Sequence, residues 1–251
     1  MLSRRQLAGF AAIAVTLAVP CEIHAQPNTQ LWANFQLDWI KTHHWSFGLD
    51  AEPKVLVTHP SSDPGWATID VTPSVEYARG EWVDVVGSLK TGRTYQTNDL
   101  DSTEVTPGIG IRLHLLSNLD KEIFTERHPK HRLVLRDLLK VQWRNLYYST
   151  DKPDAHTIRV SNEFSAVWPF NRSKITEDGA WSAAAAWTLY LGDDAGERYA
   201  DQQKVIGGVG HRRSRAWTFA AMVAWDEARN TLDEPYSTSY YALDLTMKRT
   251  W

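Results

Sequence analysis

The residues best suited to covalent chemistry are His44 and Ser46, in the segment His44-Trp45-Ser46-Phe47-Gly48. A histidine that accepts the proton of a serine hydroxyl turns that oxygen into a nucleophile for acyl groups. Such a pair needs a third, acidic or amide group to orient the histidine, and no residue is placed for this role by its spacing. His44 and Ser46 are therefore weak catalytic candidates, and a turn histidine followed by a polar serine is the simpler interpretation.

Metal-ligating side chains occur in two short clusters, and neither has the spacing of a known type of site. Glu126, His128 and His131 lie at the end of a predicted short connecting helix, 117–127, and beyond it, where no register defines their geometry. The run 193–197 contains carboxylates and a glycine but lacks the spaced ligands of an EF-hand loop. We therefore predict no metal site and no cofactor.

Many charged residues alternate with apolar residues within the same segments. Successive side chains of a β-strand point to opposite faces, so these charges share one face and the apolar residues share the other. Buried charges must pair or stay hydrated, which predicts a salt-bridged or water-filled interior. The charges expected to line that interior, seven acidic and six basic, are Asp50, Glu52, Lys54, Asp70, Glu76, Asp84, Lys90, Glu104, Arg112, Lys140, Arg144, Arg159 and Glu163.

The elements that carry these residues are β-strands along nearly the whole chain. From Leu31 to Trp39, for example, apolar and mostly polar residues alternate without a break. Eleven such segments are recognisable, most of them longer than the 5 or 6 residues usual in soluble proteins and close to the roughly 9–11 of a tilted transmembrane strand. The pattern predicts an all-β, antiparallel, up-and-down transmembrane barrel. Because single-chain bacterial barrels have an even number of strands with both termini in the periplasm, we expect 10 or 12.

The chain contains 12 Trp, and many of them stand near the ends of the predicted strands. Trp39 and Trp45 flank one turn, and Trp66 and Trp82 precede strands. Indole rings at both margins of an apolar band are typical of membrane barrels. We therefore predict that the apolar face points outward to lipid and that the charged face lines the lumen.

The first 25 residues have the features of an export signal. Arg4 and Arg5 precede an uncharged, mostly apolar run, which at 13 residues is shorter than the roughly 20 needed to span a bilayer as a helix. Ala25 supplies the small residue of a cleavage site. We expect Sec-type export, cleavage near Ala25 and a single barrel domain over 26–251.

The last predicted strand alternates through Tyr241, Leu243, Leu245 and Met247, and the chain finishes on Trp251. A terminal aromatic residue on an alternating strand looks like the signal that the outer-membrane assembly machinery recognises. Trp251 is therefore the expected assembly signal.

Six short segments, spread over most of the predicted mature chain, carry a wider resemblance. They are Gln30-Leu31-Trp32, Glu104-Val105-Thr106-Pro107, Gly110-Ile111-Arg112-Leu113, Leu135-Arg136-Asp137-Leu138-Leu139, Gln142-Trp143-Arg144-Asn145-Leu146-Tyr147-Tyr148 and Leu243-Asp244-Leu245. Together they resemble a family of uncharacterised (domain-of-unknown-function) bacterial outer-membrane β-barrel proteins. The resemblance implies a fold and a compartment, and it brings no catalytic residue.

We therefore expect a non-enzymatic outer-membrane barrel that is structural or forms a narrow passage for a small solute. Its expected partners are outer-membrane lipid, lipopolysaccharide and the barrel assembly machinery, and its oligomeric state stays open. A formal charge of -3 argues against nucleic acid as a partner. One alternative is a lipid-modifying hydrolase that uses His44 and Ser46, whose spacing is similar to that of outer-membrane phospholipases. The other is a soluble periplasmic barrel that binds an apolar ligand inside.

Overall fold

A computed structural model describes residues 28–58, 65–97, 100–116, 132–194, 197–229 and 234–251. These ranges contain eleven β-strands and no helix. The strands are β1 (Asn28–Ile40), β2 (Trp45–Thr58), β3 (Trp66–Ala78), β4 (Val83–Gln96), β5 (Ser102–Leu116), β6 (Val134–Tyr148), β7 (Ala155–Pro169), β8 (Ala180–Asp194), β9 (Glu197–Ser214), β10 (Trp217–Ala228) and β11 (Ser237–Thr250).

The strands form one closed barrel in which each strand pairs with its neighbours in the sequence, and β1 pairs with β11. Sequential neighbours are antiparallel, as the alternation predicts, whereas β1 and β11 are parallel. Leu31 on β1 lies opposite Val55 on β2 and opposite Leu243 on β11, so apolar residues meet on one face across both seams. The all-β barrel predicted from the sequence is confirmed.

The predicted strand number of 10 or 12 is wrong, because the described barrel closes with 11 strands. The even-number expectation holds only if every strand is antiparallel to both neighbours. The parallel contact between β1 and β11 removes that requirement, since both strands run in the same direction. As a result, β1 starts at one end of the barrel and β11 finishes at the other, contrary to the expectation that both termini share a side.

The two ends of the barrel carry different connections. We call the end at which β11 finishes the C-terminal mouth and the opposite end the N-terminal mouth. The tight turns 41–44, 79–82 and 215–216 lie at the C-terminal mouth, together with the longer connection 170–179. Trp251 is at the same mouth, where its backbone N–H donates to the Asp38 carbonyl over 3.0 Å.

Apolar side chains cover most of the outside of the barrel, and most charged side chains of the strands lie inside. Asp137 and Asn162 are exceptions at outward positions, where the Asn162 amide donates to the Asp137 carboxylate over 2.7 Å. Leu37, Ile109 and Val223 are 40%, 52% and 53% exposed, and they belong to a large set of exposed aliphatic and aromatic residues drawn from every strand.

The inner face is identified by contacts that skip a strand. Arg112 on β5 donates to Glu76 on β3 over 2.5 Å, which is possible only across the concave side of β4. The arrangement is the reverse of that in a soluble barrel.

Most exposed tryptophan and tyrosine residues lie near the two mouths of the barrel, whereas Trp187 lies near the middle of β8. The group at the C-terminal mouth consists of Trp39, Trp45, Tyr77, Trp82, Trp168, Trp181 and Trp251. A second group, nearer the N-terminal mouth, consists of Tyr95, Trp143, Tyr147, Trp225 and Tyr241. Aliphatic residues such as Ile109 and Val223 lie between the two groups.

Some predictions fall outside the described residues. These are the export signal at 1–25, the connecting helix at 117–127, and the possible ligands Glu126, His128 and His131. Within the ranges that the structure describes, no helix is long and apolar enough to cross a membrane.

Candidate functional site

The interior of the barrel contains a continuous chain of ion pairs that crosses from β2 to β6. The chain, which we call the ion-pair ladder, alternates in sign. Its successive N···O distances are 2.6, 3.1, 3.2, 3.2 and 3.3 Å. Its members in order are Glu52, Lys54, Asp70, Lys90, Glu104 and Arg144.

The ladder follows directly from strand geometry. Each member occupies an inward position, and neighbouring strands place these positions side by side, as Glu52 opposite Asp70 shows. Glu52 and Asp70 are both acidic and would repel each other, but Lys54 contacts both carboxylates and offsets this repulsion. Glu104 has the most partners, since it accepts hydrogen bonds from Lys90, Arg144 and, over 2.7 Å, the Thr106 hydroxyl. The side chains of the ladder are 9% to 30% exposed, so water reaches some of them.

Further ion pairs lie nearer the C-terminal mouth. Arg112 pairs with Glu76, and His114 hydrogen-bonds Asp84 in a fully buried contact. All thirteen charges predicted to line the lumen are buried or half-buried, and the structure brings nine of them into these pairs or the ladder. Glu163 instead accepts a hydrogen bond from the Thr188 hydroxyl. Asp50, Lys140, Arg159 and Glu163 occupy the same inner face.

A layer of aromatic and cationic side chains packs together inside the barrel toward the N-terminal mouth. Trp32 is only 5% exposed, and the ammonium groups of Lys54 and Lys204 lie 5.0 and 5.8 Å from its ring centroid. Tyr240 packs against the same indole at 5.6 Å, and Gln30 accepts the indole N–H at 2.9 Å. A cation against a desolvated indole face is a favourable contact. Trp32 is therefore packed on several sides by polar, cationic and aromatic side chains inside the barrel.

The layer continues along β7, β8, β9 and β10 through a second network. The Arg159 guanidinium lies 3.7 Å from the Tyr190 ring centroid and donates to the Gln202 side-chain carbonyl. The Gln202 amide in turn donates to both carboxylate oxygens of Asp226 over 3.0 and 2.8 Å. Asp226 is completely buried, so it depends on these donors for its stability.

His44 and Ser46 are not joined by a hydrogen bond among the contacts of the described residues. The His44 ring donates through Nδ1 to the backbone carbonyl of Ala78 over 3.0 Å and packs 6.0 Å from Tyr77. His44 is exposed in the turn. Ser46 is half-buried at the start of β2 and lies opposite Glu76 on β3. The simpler interpretation of a turn histidine accounts for these contacts.

The acidic residues of the run 193–197 belong to the strands on either side of 195–196. Asp193 and Asp194 belong to β8, Glu197 begins β9, and Asp194 lies opposite Glu197. Over the described part of the chain, no three His, Cys, Asp or Glu side chains are grouped so that they could hold a metal ion.

Several interior residues are not identified by the sequence pattern as members of a site. Trp32 stands among polar residues on the inner face, which is the signal that distinguishes it from the outward tryptophans. Lys248 pairs with Asp38 across the parallel contact between β1 and β11. A barrel in which every pair of neighbouring strands is antiparallel does not predict this contact.

No protein-family model and no curated protein matches this chain.

Proposed function

We propose that this protein is a non-enzymatic β-barrel of the bacterial outer membrane, with a structural role and at most a narrow passage for small solutes. The observation that carries the proposal is the outward apolar surface, which surrounds a charged, ion-paired interior. A barrel in water would expose this large apolar surface at a high free-energy cost, whereas lipid removes that cost.

The height of the apolar surface supports the same proposal. On β7 the outward side chains run from Ile158 to Trp168, both exposed. Ten residues at about 3.3 Å each, tilted by roughly 40°, give a height of about 25 Å, which matches the apolar band of outer-membrane barrels. The aromatic residues near the two mouths stand where the lipid headgroups would be.

The proposal includes a route to the membrane and an orientation. The export signal would direct the chain out of the cytoplasm and be removed near Ala25, and the assembly machinery would recognise the strand that finishes on Trp251. The C-terminal mouth would then face the periplasm. Outer-membrane lipid and lipopolysaccharide would surround the aliphatic belt.

The interior favours a closed barrel over a channel. The ion-pair ladder contains three acidic and three basic groups, so it lacks the single-sign ring that selects ions in a pore. The side chains packed around Trp32 occupy further space inside the barrel toward the N-terminal mouth. The polar interior also argues against a soluble barrel that holds an apolar ligand, because such a ligand needs apolar walls.

The purified protein is expected to show no steady conductance in a planar bilayer, because paired side chains occupy the lumen. It should still shift its mobility between unboiled and boiled samples on a detergent gel and fractionate with the outer membrane. Large, ion-selective channels would contradict the closed barrel. Lipid hydrolysis that is lost in Ser46→Ala would favour the hydrolase instead, and a barrel found only in the soluble periplasm would contradict the proposal as a whole.

Replacing Trp251 tests the proposed assembly signal. Trp251→Ala keeps the backbone hydrogen bonds to Asp38 and Ile40 and removes only the exposed ring. The contact between the ends of β1 and β11 should therefore remain intact in this variant. We expect Trp251→Ala to reduce folded protein in the outer membrane several-fold, and Trp251→Phe to restore it. Quantitative blotting of outer-membrane fractions measures this. Equal levels for the wild type and Trp251→Ala would show that the ring is not the signal.

A further inference from the structure

A small cavity lies inside the C-terminal mouth, away from the ion-pair ladder. Its volume is about 170 Å³, and strands β1, β6, β8, β9, β10 and β11 form its wall. Ile175 and Thr176, from the connection 170–179, cover it. The polar groups in its wall include Asp38, Arg136, Ser182, Arg212, Thr218 and Lys248.

The cover of this cavity is tied to the barrel by hydrogen bonds. The Arg132 guanidinium donates to the backbone carbonyls of Pro169 over 3.1 Å and Arg172 over 2.5 Å. At the other end of the connection, the Gly179 N–H donates to the Arg212 carbonyl over 2.7 Å. Within the connection, the Ser173 hydroxyl donates to Glu177, and this hydrogen bond lowers the pKa of the Glu177 carboxyl. The cavity is therefore preformed.

The charges around the cavity do not balance. Three cations and one carboxylate line it, and the carboxylate of Asp38 is already paired with Lys248. Nε of Arg136 and Nε of Arg212 are both buried and have no hydrogen-bond partner among the described residues. The Arg212 Nη2 donates to a backbone carbonyl, that of Arg215 over 2.6 Å. Among the described residues, neither of these two guanidinium groups is paired with a carboxylate, which is unfavourable in a partly desolvated space unless an anion joins them.

Within the part of the chain that the structure describes, two acidic groups near the arginines do not supply that anion. His114 lies opposite Arg136 in the sheet, but its partner Asp84 is bound to the imidazole. Asp178 is the acidic neighbour of Arg212 on the connection, and its side chain is exposed to solvent.

We propose that this cavity binds a small oxyanion, a phosphate or a carboxylate, between Arg136 and Arg212. A guanidinium presents a planar pair of donors that fits such groups, and the hydroxyls of Ser182 and Thr218 add further donors. The cavity is smaller than the roughly 300 Å³ that holds a drug-sized ligand, so it accepts a small anion or the anionic end of a longer solute. It lies on the inner face, so its ligand arrives from water and not from the surrounding lipid.

Phosphate is the probe for the first test, with the full chain folded in an uncharged detergent. Sodium phosphate should raise the unfolding temperature saturably above sodium chloride at equal ionic strength, and titration calorimetry gives Kd. Arg136→Gln and Arg212→Gln should each weaken phosphate binding at least about tenfold, since each removes charge-assisted hydrogen bonds. Arg213→Gln is the matched control, because Arg213 is the next residue and is exposed. It should leave Kd unchanged.

One further variant and three contrary outcomes complete the test. If the arginine variants do not fold, Thr176→Phe places a ring in the cavity from the connection and should also abolish phosphate binding. No stabilisation beyond chloride, equal losses in Arg213→Gln, or binding only when anionic lipid is added would each overturn the inference. Only one part of the inference rests on the proposed function: that the anion enters from water and not from surrounding lipid. A failure to find the protein in the outer membrane would therefore leave the phosphate result standing.

Discussion

Arginine in place of Ile109 or Val223 is expected to lower the free energy of unfolding in a phospholipid bilayer by about 2–4 kcal/mol. The two side chains are 52% and 53% exposed and stand near the middle of β5 and β10. If lipid covers this surface, each guanidinium would sit near the bilayer midplane without water. Denaturant titration of the barrel folded into vesicles measures the loss.

Two control variants separate depth in the membrane from the substitution itself. Val57 is 57% exposed on the outward face but lies at the N-terminal mouth. Val57→Arg should therefore lower the free energy of unfolding by only about 0–1 kcal/mol. Gln36 is half-buried on the inner face, where Gln36→Arg should also cost less than Ile109→Arg. Equal costs at Val57 and Ile109 would contradict the proposed position of the membrane.

Glu104→Gln is expected to destabilise the barrel by about 3 kcal/mol, the lower end for removing one partner of a buried ion pair. Glu104 connects Lys90 and Arg144 in the ion-pair ladder, and both cations would lose a counter-charge at once. Their side chains are 29% and 30% exposed, and this hydration is why the lower figure applies. Thermal or denaturant unfolding in detergent measures the effect.

The loss from Glu104→Gln should depend on the cation that it leaves unpaired. Adding Arg144→Met removes that cation and should recover part of the stability, because Glu104 is the ion-pair partner of Arg144. Asp151→Asn, an exposed carboxylate in a connection, should have an effect within about 0.5 kcal/mol. If Glu104→Gln behaves like Asp151→Asn, the ladder contributes little to the stability of the barrel.

Strand alternation is the part of this protein that the sequence by itself determined. Between Leu31 and Trp39, for example, an apolar residue occurs at every second position. A β-strand is the only regular element that places such residues on one face. The same pattern predicted that thirteen charges share one face of the strands, since each of them has at least one apolar neighbour in the sequence. Local periodicity is enough for these conclusions because the direction of a strand side chain depends only on its own position in the pleat.

Closure of the barrel was decided only by the tertiary structure. The parallel contact of Leu31 with Leu243 joins residues more than 200 positions apart, and no local pattern states in which direction the last strand meets the first. The pairing partners follow from the same closure: Lys248 meets Asp38 and Lys204 meets Trp32 only because the sheet curves into a ring. The cavity between Arg136 and Arg212 has the same origin. Each arginine is one more inward charge in the sequence. The curvature of the sheet and the connection 170–179 leave both facing a common space, in which the one carboxylate among the described lining residues, that of Asp38, is already paired with Lys248.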